Sequence, residues 1–413
     1  MRESLQKSFC EKRLQASKSR YSLENYYEDS YFSSKEFYFV PTRNDWKIIR
    51  KRVSTINLYI TQRCNSFCKI CFMNSGPFVS REFDLSIDEI KSVLRKVGKG
   101  KRIVLMGGEP TIREDLPEII KLIRKSGNYP ILYTNGLKLA DISYVKKLKK
   151  AGLKQVIITL DGFDPKVTET LRGNKNENLL KILALKNLEA ERILTFISTT
   201  IAKGINEKEI KNILNYAIKS VKKHGAVRGI MFYGATVTKN GRYLLPKETE
   251  IGTHELLREI SKCKKEIKMS YLLEFKKLLI NFYNLFKKIG YPVPISSGGL
   301  VGFYRVGSLK ELIPLREVRK INRIWKRNKI VGIVKTLLKI GMLQIVKLLL
   351  SPFNYLLNSN LLVICLGNVN NEYNFKPKET GCIGIEKNRK TRKIMVQSLY
   401  YGEGVIIETA EWY

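Results

Sequence analysis

Histidine is almost missing. The chain of 413 residues has two, His224 and His254, both in polar surroundings, so chemistry that relays protons through imidazole has little to work with. Acidic residues are about half as common as basic ones. Asp and Glu number 38 against 75 Lys and Arg, for a formal charge of +37. Such a surface disfavours cations and basic partners and favours nucleic acid, anionic headgroups or phosphorylated substrates. The lysines are spread thinly along the chain, so the excess does not choose among these. An export signal is also lacking: the first twenty residues hold Arg2, Lys7, Lys12, Arg13, Lys18 and Arg20 and no apolar stretch. The longest uncharged run, residues 348–371, carries Ser351, Pro352 and several asparagines, whose polar groups are costly in hydrocarbon, which excludes a span there. The seven cysteines are odd in number, with Cys64, Cys68 and Cys71 crowded together and Cys10, Cys263, Cys365 and Cys382 scattered. That pattern fits a metal site in a reducing compartment, the cytoplasm, rather than a disulfide framework.

What the chain does have is material for a large core, with 44% hydrophobic and 10% aromatic residues. Between residues 56 and 233, β-branched runs alternate with segments of helical period. Strands are expected at 56–61, 102–106, 130–134, 155–160, 196–202 and 227–232, and helices at 87–97, 115–126, 143–151, 177–191 and 208–224. Ser86 followed by Glu89 is a capping pair that opens the first helix. The alternation predicts an α/β fold with parallel strands, either an open doubly wound sheet or a barrel. The chain divides into three regions: an N-terminal extension over 1–50, rich in Tyr, Ser, Lys and Glu; the alternating core over 51–235; and a C-terminal region over 236–413. In the last, residues 255–268, 271–288 and 329–350 read as helices, and 300–305 as a strand or hairpin. Residues 329–350 are apolar at helical spacing, with Lys335, Lys339 and Lys347 on one side. Two readings stand: a core helix with snorkelling lysines, which is favoured, or a helix lying on anionic lipid.

The decisive segment is Thr61-Gln62-Arg63-Cys64-Asn65-Ser66-Phe67-Cys68-Lys69-Ile70-Cys71, a C-x₃-C-x₂-C loop directly after the first expected strand. Thiolates suit iron–sulfur clusters and zinc. Closed zinc sites want a fourth nearby Cys or His, and none stands between residues 81 and 224. Three ligands suit instead a cubane cluster with one iron left open to a small molecule. At the end of the second strand comes Gly107-Gly108-Glu109-Pro110. The glycines permit close backbone approach to a ligand, and Glu109 supplies a carboxylate for an ammonium group.

Together these two motifs resemble the radical S-adenosylmethionine superfamily, in the family's order and about forty residues apart. The resemblance favours the barrel: a partial (β/α)6 TIM-like barrel core with a mainly helical C-terminal region. It implies that Cys64, Cys68 and Cys71 ligate a [4Fe–4S] cluster, and that Gly107, Gly108, Glu109 and Pro110 seat S-adenosylmethionine. It further implies Asn135, Thr159 and Asp161 as cofactor contacts at later strand ends. The residue before the third cysteine, aromatic in many members, is Ile70 here, with Phe72 just after; both are candidates for the adenine contact. The implied chemistry is reductive cleavage to a 5′-deoxyadenosyl radical that abstracts hydrogen from substrate carbon, with Cys64, Cys68, Cys71 and Glu109 as the catalytic set.

From 107 to about 259 the chain looks like the class D radical methyltransferases and the archaeal tetraether lipid synthases, in GGEPTIREDLPEII, TNGLKLA, LDGFDPKVTETLRG, ISTTIAKGIN and VRGIMFYGATVTKNGR. It departs from them in having no cysteine over 11–63 and PVPISSGGLVGF where relatives tend to have Cys. The resemblance implies functionalisation of an unactivated C–H bond, by methylation or C–C coupling, on a lipid or pterin-like substrate. The implied partners are a low-potential electron donor of ferredoxin or flavodoxin type and, through the C-terminal helices, peripheral contact with anionic membrane. Two alternatives stand beside it: a peptide- or RNA-modifying enzyme, and a degenerate, non-catalytic member. Nucleic acid is disfavoured, because the charge is diffuse and no RNA-binding aromatic pattern is present. Arg172 is read either as a contact to the methionyl carboxylate or as a surface residue at a helix end.

Overall fold

The computed structural model describes residues 38–39, 43–237, 241–288, 299–306, 309–340, 356–367, 382–387, 392 and 394–397. Cys10, the Pro/Gly/Ser-rich stretch over 291–298, Tyr291, Tyr400, Tyr401 and the second half of the 329–350 pattern lie outside them.

Strand β1 (Tyr38–Phe39) and helix α1 (Arg43–Arg52) precede β2 (Thr55–Thr61), and the two-residue β3 (Ile70–Cys71) sits in the loop after it. The alternation then runs α2 (Ile87–Val97), β4 (Arg102–Gly107), α3 (Leu116–Lys125), β5 (Tyr129–Thr134), α4 (Ile142–Ala151) and β6 (Gln155–Thr159). It continues through α5 (Pro165–Arg172), α6 (Glu177–Ala190), β7 (Leu194–Ile201), α7 (Glu209–Lys222) and β8 (Val227–Gly234). Strands and helices fall within a few residues of the periodicity. The capping box at α2 forms as expected: Ser86 Oγ accepts from Glu89 N–H while the Glu89 carboxylate accepts from Ser86 N–H. Helix α5 was not expected; Asp164 caps it and Pro165 opens it, a signal that eight residues of weak period conceal.

Downstream come β9 (Arg242–Tyr243), α8 (Thr253–Cys263), α9 (Met269–Lys288), β10 (Gly299–Arg305), β11 (Lys310–Glu311), α10 (Leu315–Arg327) and α11 (Lys329–Ile340). Last are β12 (Leu361–Gly367), β13 (Cys382–Lys387) and β14 (Ile394–Gln397). The sheet order is β1-β14-β13-β2-β4-β5-β6-β7-β8-β12-β10-β11. Strands β2, β4, β5, β6, β7 and β8 are parallel neighbours in chain order, which is the partial (β/α)6 barrel. The helical C-terminal region also extends this sheet: β13 pairs parallel with β2, and β12 parallel with β8.

Alternation along the strands divides the core. On β2, Ile56, Leu58 and Ile60 join the large cluster under the helices. Tyr59 turns the other way and meets Val104, Met106, Ile131 and Ile157, with Met73, Tyr133, Phe196 and Met231 packed against them. This second, apolar cluster lies on the inner face of the barrel. Polar groups share that face: Asn57 and Gln155 are buried on it, and Tyr133 Oη meets Ser198 Oγ at 2.6 Å.

Candidate active site at the strand ends

The cysteine loop leaves the C-terminal end of β2, where a β/α barrel gathers its functional loops. It is fastened on three sides. On the first, Gly108 N–H donates to Thr61 O at 3.0 Å and Glu109 N–H to Arg63 O at 2.8 Å. Side chains are forbidden at this crossing: a Cβ on Gly107, whose φ is 137°, would stand 1.8 Å from Thr61 O, and one on Gly108 would stand 2.0 Å from Arg63 O. The two glycines therefore serve the approach of the cysteine loop's own backbone. On the second side, Lys69 N–H donates to Leu171 O at the end of α5. On the third, β3 pairs with β9, and Arg242 of β9 donates from Nε to Cys68 O at 2.8 Å and from Nη2 to Ser75 O at 2.9 Å.

Cys64, Cys68 and Cys71 are free and half-buried. Backbone N–H groups point at two of the sulfurs, Ser66 at Cys64 Sγ and Ser75 at Cys71 Sγ, each at 3.4 Å. Burial pushes the Cys64 thiol up, and the charges of Glu109, Cys68 and Cys71 push it further. Burial also pushes up the Cys68 thiol, with Arg172 and Lys181 pulling the other way. Such thiols do not ionise unaided; a cationic metal centre in place of the protons would stabilise the thiolates. Three thiols on one loop, two of them with N–H groups directed at sulfur, suit an iron–sulfur group.

Glu109 is fully buried. Its Oε1 accepts from Thr111 N–H (2.9 Å), Thr111 Oγ1 (2.6 Å) and Thr134 Oγ1 (2.7 Å), and its Oε2 accepts from Asn135 N–H (2.6 Å). The sequence reading turns this carboxylate toward a ligand's ammonium group; the structure encloses it, tying the 107–110 turn to the end of β5. Burial pushes its pKa up while the four donors pull it down. Pro110 is buried beside it, and Gly107 and Gly108 are half-buried.

The other expected contacts gather at the same end. Asn135 Nδ2 donates to Asn65 Oδ1 at 2.8 Å and to Ser66 Oγ at 3.3 Å, joining β5 to the cysteine loop. Thr159 Oγ1 accepts from Lys181 Nζ at 3.1 Å. Asp161, 2% exposed, takes a two-pronged salt bridge from Arg172, Nε to Oδ2 at 2.6 Å and Nη2 to Oδ1 at 2.9 Å. Burial works against the Asp161 charge, yet Arg172, Lys181 and the Thr200 N–H hold its carboxyl below the usual range. Arg172 is thus a largely buried partner of Asp161 whose Nη1 also lies 3.5 Å from Ile70 O in the cysteine loop, and neither sequence reading of it anticipates this. Ile70 packs among Val167, Leu171, Ala202 and Ala235, whereas Phe72 is 45% exposed.

Sequence reasoning missed Lys181 and singled out no role for Arg242. Lys181, 1% exposed on α6, donates to Asn135 O at 3.1 Å and to Thr159 O at 3.3 Å, clamping the ends of β5 and β6. Arg242 also stacks 3.7 Å from the Phe67 ring centroid. The only signal for Lys181 was a basic residue at an inward helical position; for Arg242 there was none short of the fold. Cys263 and Cys365 stand on separate elements, α8 and β12, and burial pushes the Cys365 thiol up to about 12. Tyr304 is a core residue, stacked edge-on against Tyr271.

Residues 58–217 match the radical SAM superfamily. The 7,8-dihydro-6-hydroxymethylpterin dimethyltransferase of Methanocaldococcus jannaschii is 38% identical over 191 residues, which is 44% of this chain and 36% of the relative. A probable GTP 3′,8-cyclase of Thermococcus kodakarensis is 31% identical over 173 residues, 41% of this chain and 54% of the relative. The chain thus spans roughly a third to a half of the length of these curated relatives. Among solved structures, Streptococcus suis SuiB bound to S-adenosylmethionine aligns with 17% identity and a TM-score of 0.43, over 51% of this chain and 47% of that one. Radical SAM domains use a [4Fe–4S] cluster and S-adenosylmethionine, and the donor set at Cys64, Cys68 and Cys71 fits the cluster.

Proposed function

We propose that this chain, whose residues 58–217 form a radical SAM domain, functionalises an unactivated C–H bond of a small-molecule or lipid substrate, by methylation or C–C coupling. The observation that carries the reading is a single juxtaposition. Three half-buried thiols stand on one loop whose root is bonded to the backbone of Gly108 and Glu109, and Met73 of the same loop packs on the apolar inner cluster of the barrel.

Cys64, Cys68 and Cys71 would hold the cluster, and the 107–110 turn with Asn135, Thr159, Asp161, Ile70 and Phe72 would border S-adenosylmethionine. Bound together, these cofactors supply a 5′-deoxyadenosyl radical that abstracts a hydrogen atom from substrate carbon. The chain's own work is positional. Glu109 fixes the turn, Lys181 fixes the ends of β5 and β6, and Arg172 and Arg242 fix the loop around Cys68. The partly exposed members of the inner cluster, Met73, Phe196 and Met231, offer an apolar substrate contact and help to exclude water. Tyr133 and Ser198 give it one polar point for orientation. The pterin named for the M. jannaschii relative is a second substrate class for this interior, its ring oriented by that hydroxyl pair. The domain would work in the cytoplasm with a ferredoxin- or flavodoxin-type donor.

The test is anaerobic reconstitution, then incubation with reductant, S-adenosylmethionine and either lipid extract, a reduced pterin, RNA or peptide. Stimulated 5′-deoxyadenosine with lipid or pterin, abolished in Cys68→Ala together with the cluster's visible absorption, is the expected result. A reconstituted protein without that absorption overturns the reading, and stimulation by RNA or peptide alone moves it to the other substrate classes.

A further inference from the structure

Helix α10 is a helix of two chemistries. Val318, Ile321, Asn322 and Trp325 are buried, and Asn322 Nδ2 fastens the helix to α9 through Glu274 O at 2.9 Å. The opposite face carries Arg316, Arg319, Lys320, Arg323, Lys326 and Arg327, all exposed. At about 100° per residue these six cations fall within a sector of roughly 120°, centred away from the buried face. Over residues 315–340 there are nine Lys and Arg against one acid, Glu317.

Helix α11 comes immediately after and presents the reverse. Asn328 Oδ1 accepts from Val331 N–H and caps it. Gly332 is buried against Trp325, close enough that a Cβ there would stand 2.7 Å from the indole ring. So α11 is packed on α10 through its backbone. Its outward sector is apolar: Val331 is 41% exposed, Val334 47% and Leu338 76%. These occupy positions i, i+3 and i+7, one stripe of the helix, with the exposed Lys335 at its border. Val331, Val334 and Leu338 thus stand outside the core.

We propose that α10 and α11 form a docking surface for an anionic lipid bilayer, with the α11 stripe entering the headgroup boundary and the α10 cations on the phosphates. An apolar stripe and a basic face on two consecutive, packed helices supply the two chemistries of a membrane-interface contact. No helix among the described residues is long and apolar enough to cross a membrane, so the contact is one of lying on the surface. Nucleic acid would use the same cations but has no use for an exposed stripe of two valines and a leucine, and an acidic protein would leave the contact insensitive to lipid. The surface deepens the proposed function by giving a lipid substrate a source. It is tested without turnover, so its failure and the failure of that reading are distinguishable.

The experiment is co-sedimentation of the full chain with vesicles of phosphatidylcholine alone and of phosphatidylcholine containing phosphatidylglycerol, at low and high salt. Binding to the anionic vesicles at least tenfold above the neutral ones, weakened by salt, is expected. Val334→Asp with Leu338→Asp, and separately Arg319→Glu with Arg323→Glu, should each reduce it at least tenfold. All four side chains are exposed, so circular dichroism should stay unchanged; Val334→Ser with Leu338→Ser is the milder pair should the aspartates unfold the chain. Absence of vesicle binding overturns the proposal. So does loss in the charge-reversed variant alone with full binding by both stripe variants, which marks a purely electrostatic polyanion site of the nucleic-acid kind.

Discussion

Arg242 holds Cys68 from a distance of 174 positions in the chain, its Nε donating to the Cys68 carbonyl at 2.8 Å. Nη2 binds Ser75 O, Nη1 binds Asn74 Oδ1 at 3.2 Å, and the guanidinium plane rests on Phe67. One side chain thus spans the segment that contains Cys71 and fixes the sulfurs' spacing from outside the cysteine motif. Arg242→Ala should leave the far-ultraviolet circular dichroism intact and weaken cluster retention by about 10- to 100-fold, as loss of outer-shell support does at metal sites. Arg242→Lys should recover only part of this, because an ammonium cannot reproduce the planar fork. Iron and sulfide analysis after reconstitution and chelator challenge is the measurement.

Lys181 places a buried ammonium between strand-end carbonyls and within the field of Cys68. Lys181→Met leaves acceptors at Asn135 and Thr159 unsatisfied, a cost of about 2 kcal/mol in urea denaturation of the apoprotein. It also removes a positive charge that favours the more negative, reduced cluster. The midpoint potential, titrated by electron paramagnetic resonance, should move to more negative values; an unchanged potential would confine Lys181 to a scaffolding role.

Asp161 and Arg172 form a buried ion pair, so stability should depend on pH in a defined sense. The folded-state pKa of Asp161 lies below its ordinary value of 3.8. The stabilisation is therefore complete above that value and is lost as pH falls below it toward the folded pKa. Asp161→Asn should cost about 3 kcal/mol at neutral pH, because Arg172 stays buried without its counter-charge. The gap to wild type should narrow below about pH 3.8, measured by chemical denaturation of the apoprotein across the range.

At Gly108 the obstacle is backbone. A Cβ placed 2.0 Å from Arg63 O can be accommodated only by separating the 107–110 turn from the root of the cysteine loop. Gly108→Ala should destabilise the apoprotein by about 1–3 kcal/mol and impair cluster assembly. Gly204→Ala is the control. That glycine has a positive φ but nothing within 4 Å of the added atom, so its strain should leave cluster assembly untouched.

The amino-acid sequence determined the alternation and the cysteine motif. Runs such as Thr55–Thr61 and Ile87–Val97 carry period 2 or 3.6 within themselves, and such periods are local properties of the chain. The spacing of Cys64, Cys68 and Cys71 is likewise written in one short segment. Helix α5 escaped because eight residues hold too few turns to declare a period. The partners of the motif lie elsewhere in the chain and were decided only by the tertiary structure. Arg242 reaches Cys68 because β9 pairs with β3, and Arg172 reaches Asp161 because α5 returns over the end of β6. Glu109 proved enclosed rather than open because Thr134 and Asn135 of the neighbouring strand's end supply donors that its own segment does not contain. Pairings of this kind depend on which strand ends stand side by side, and that is fixed by the packing of the whole sheet against its helices.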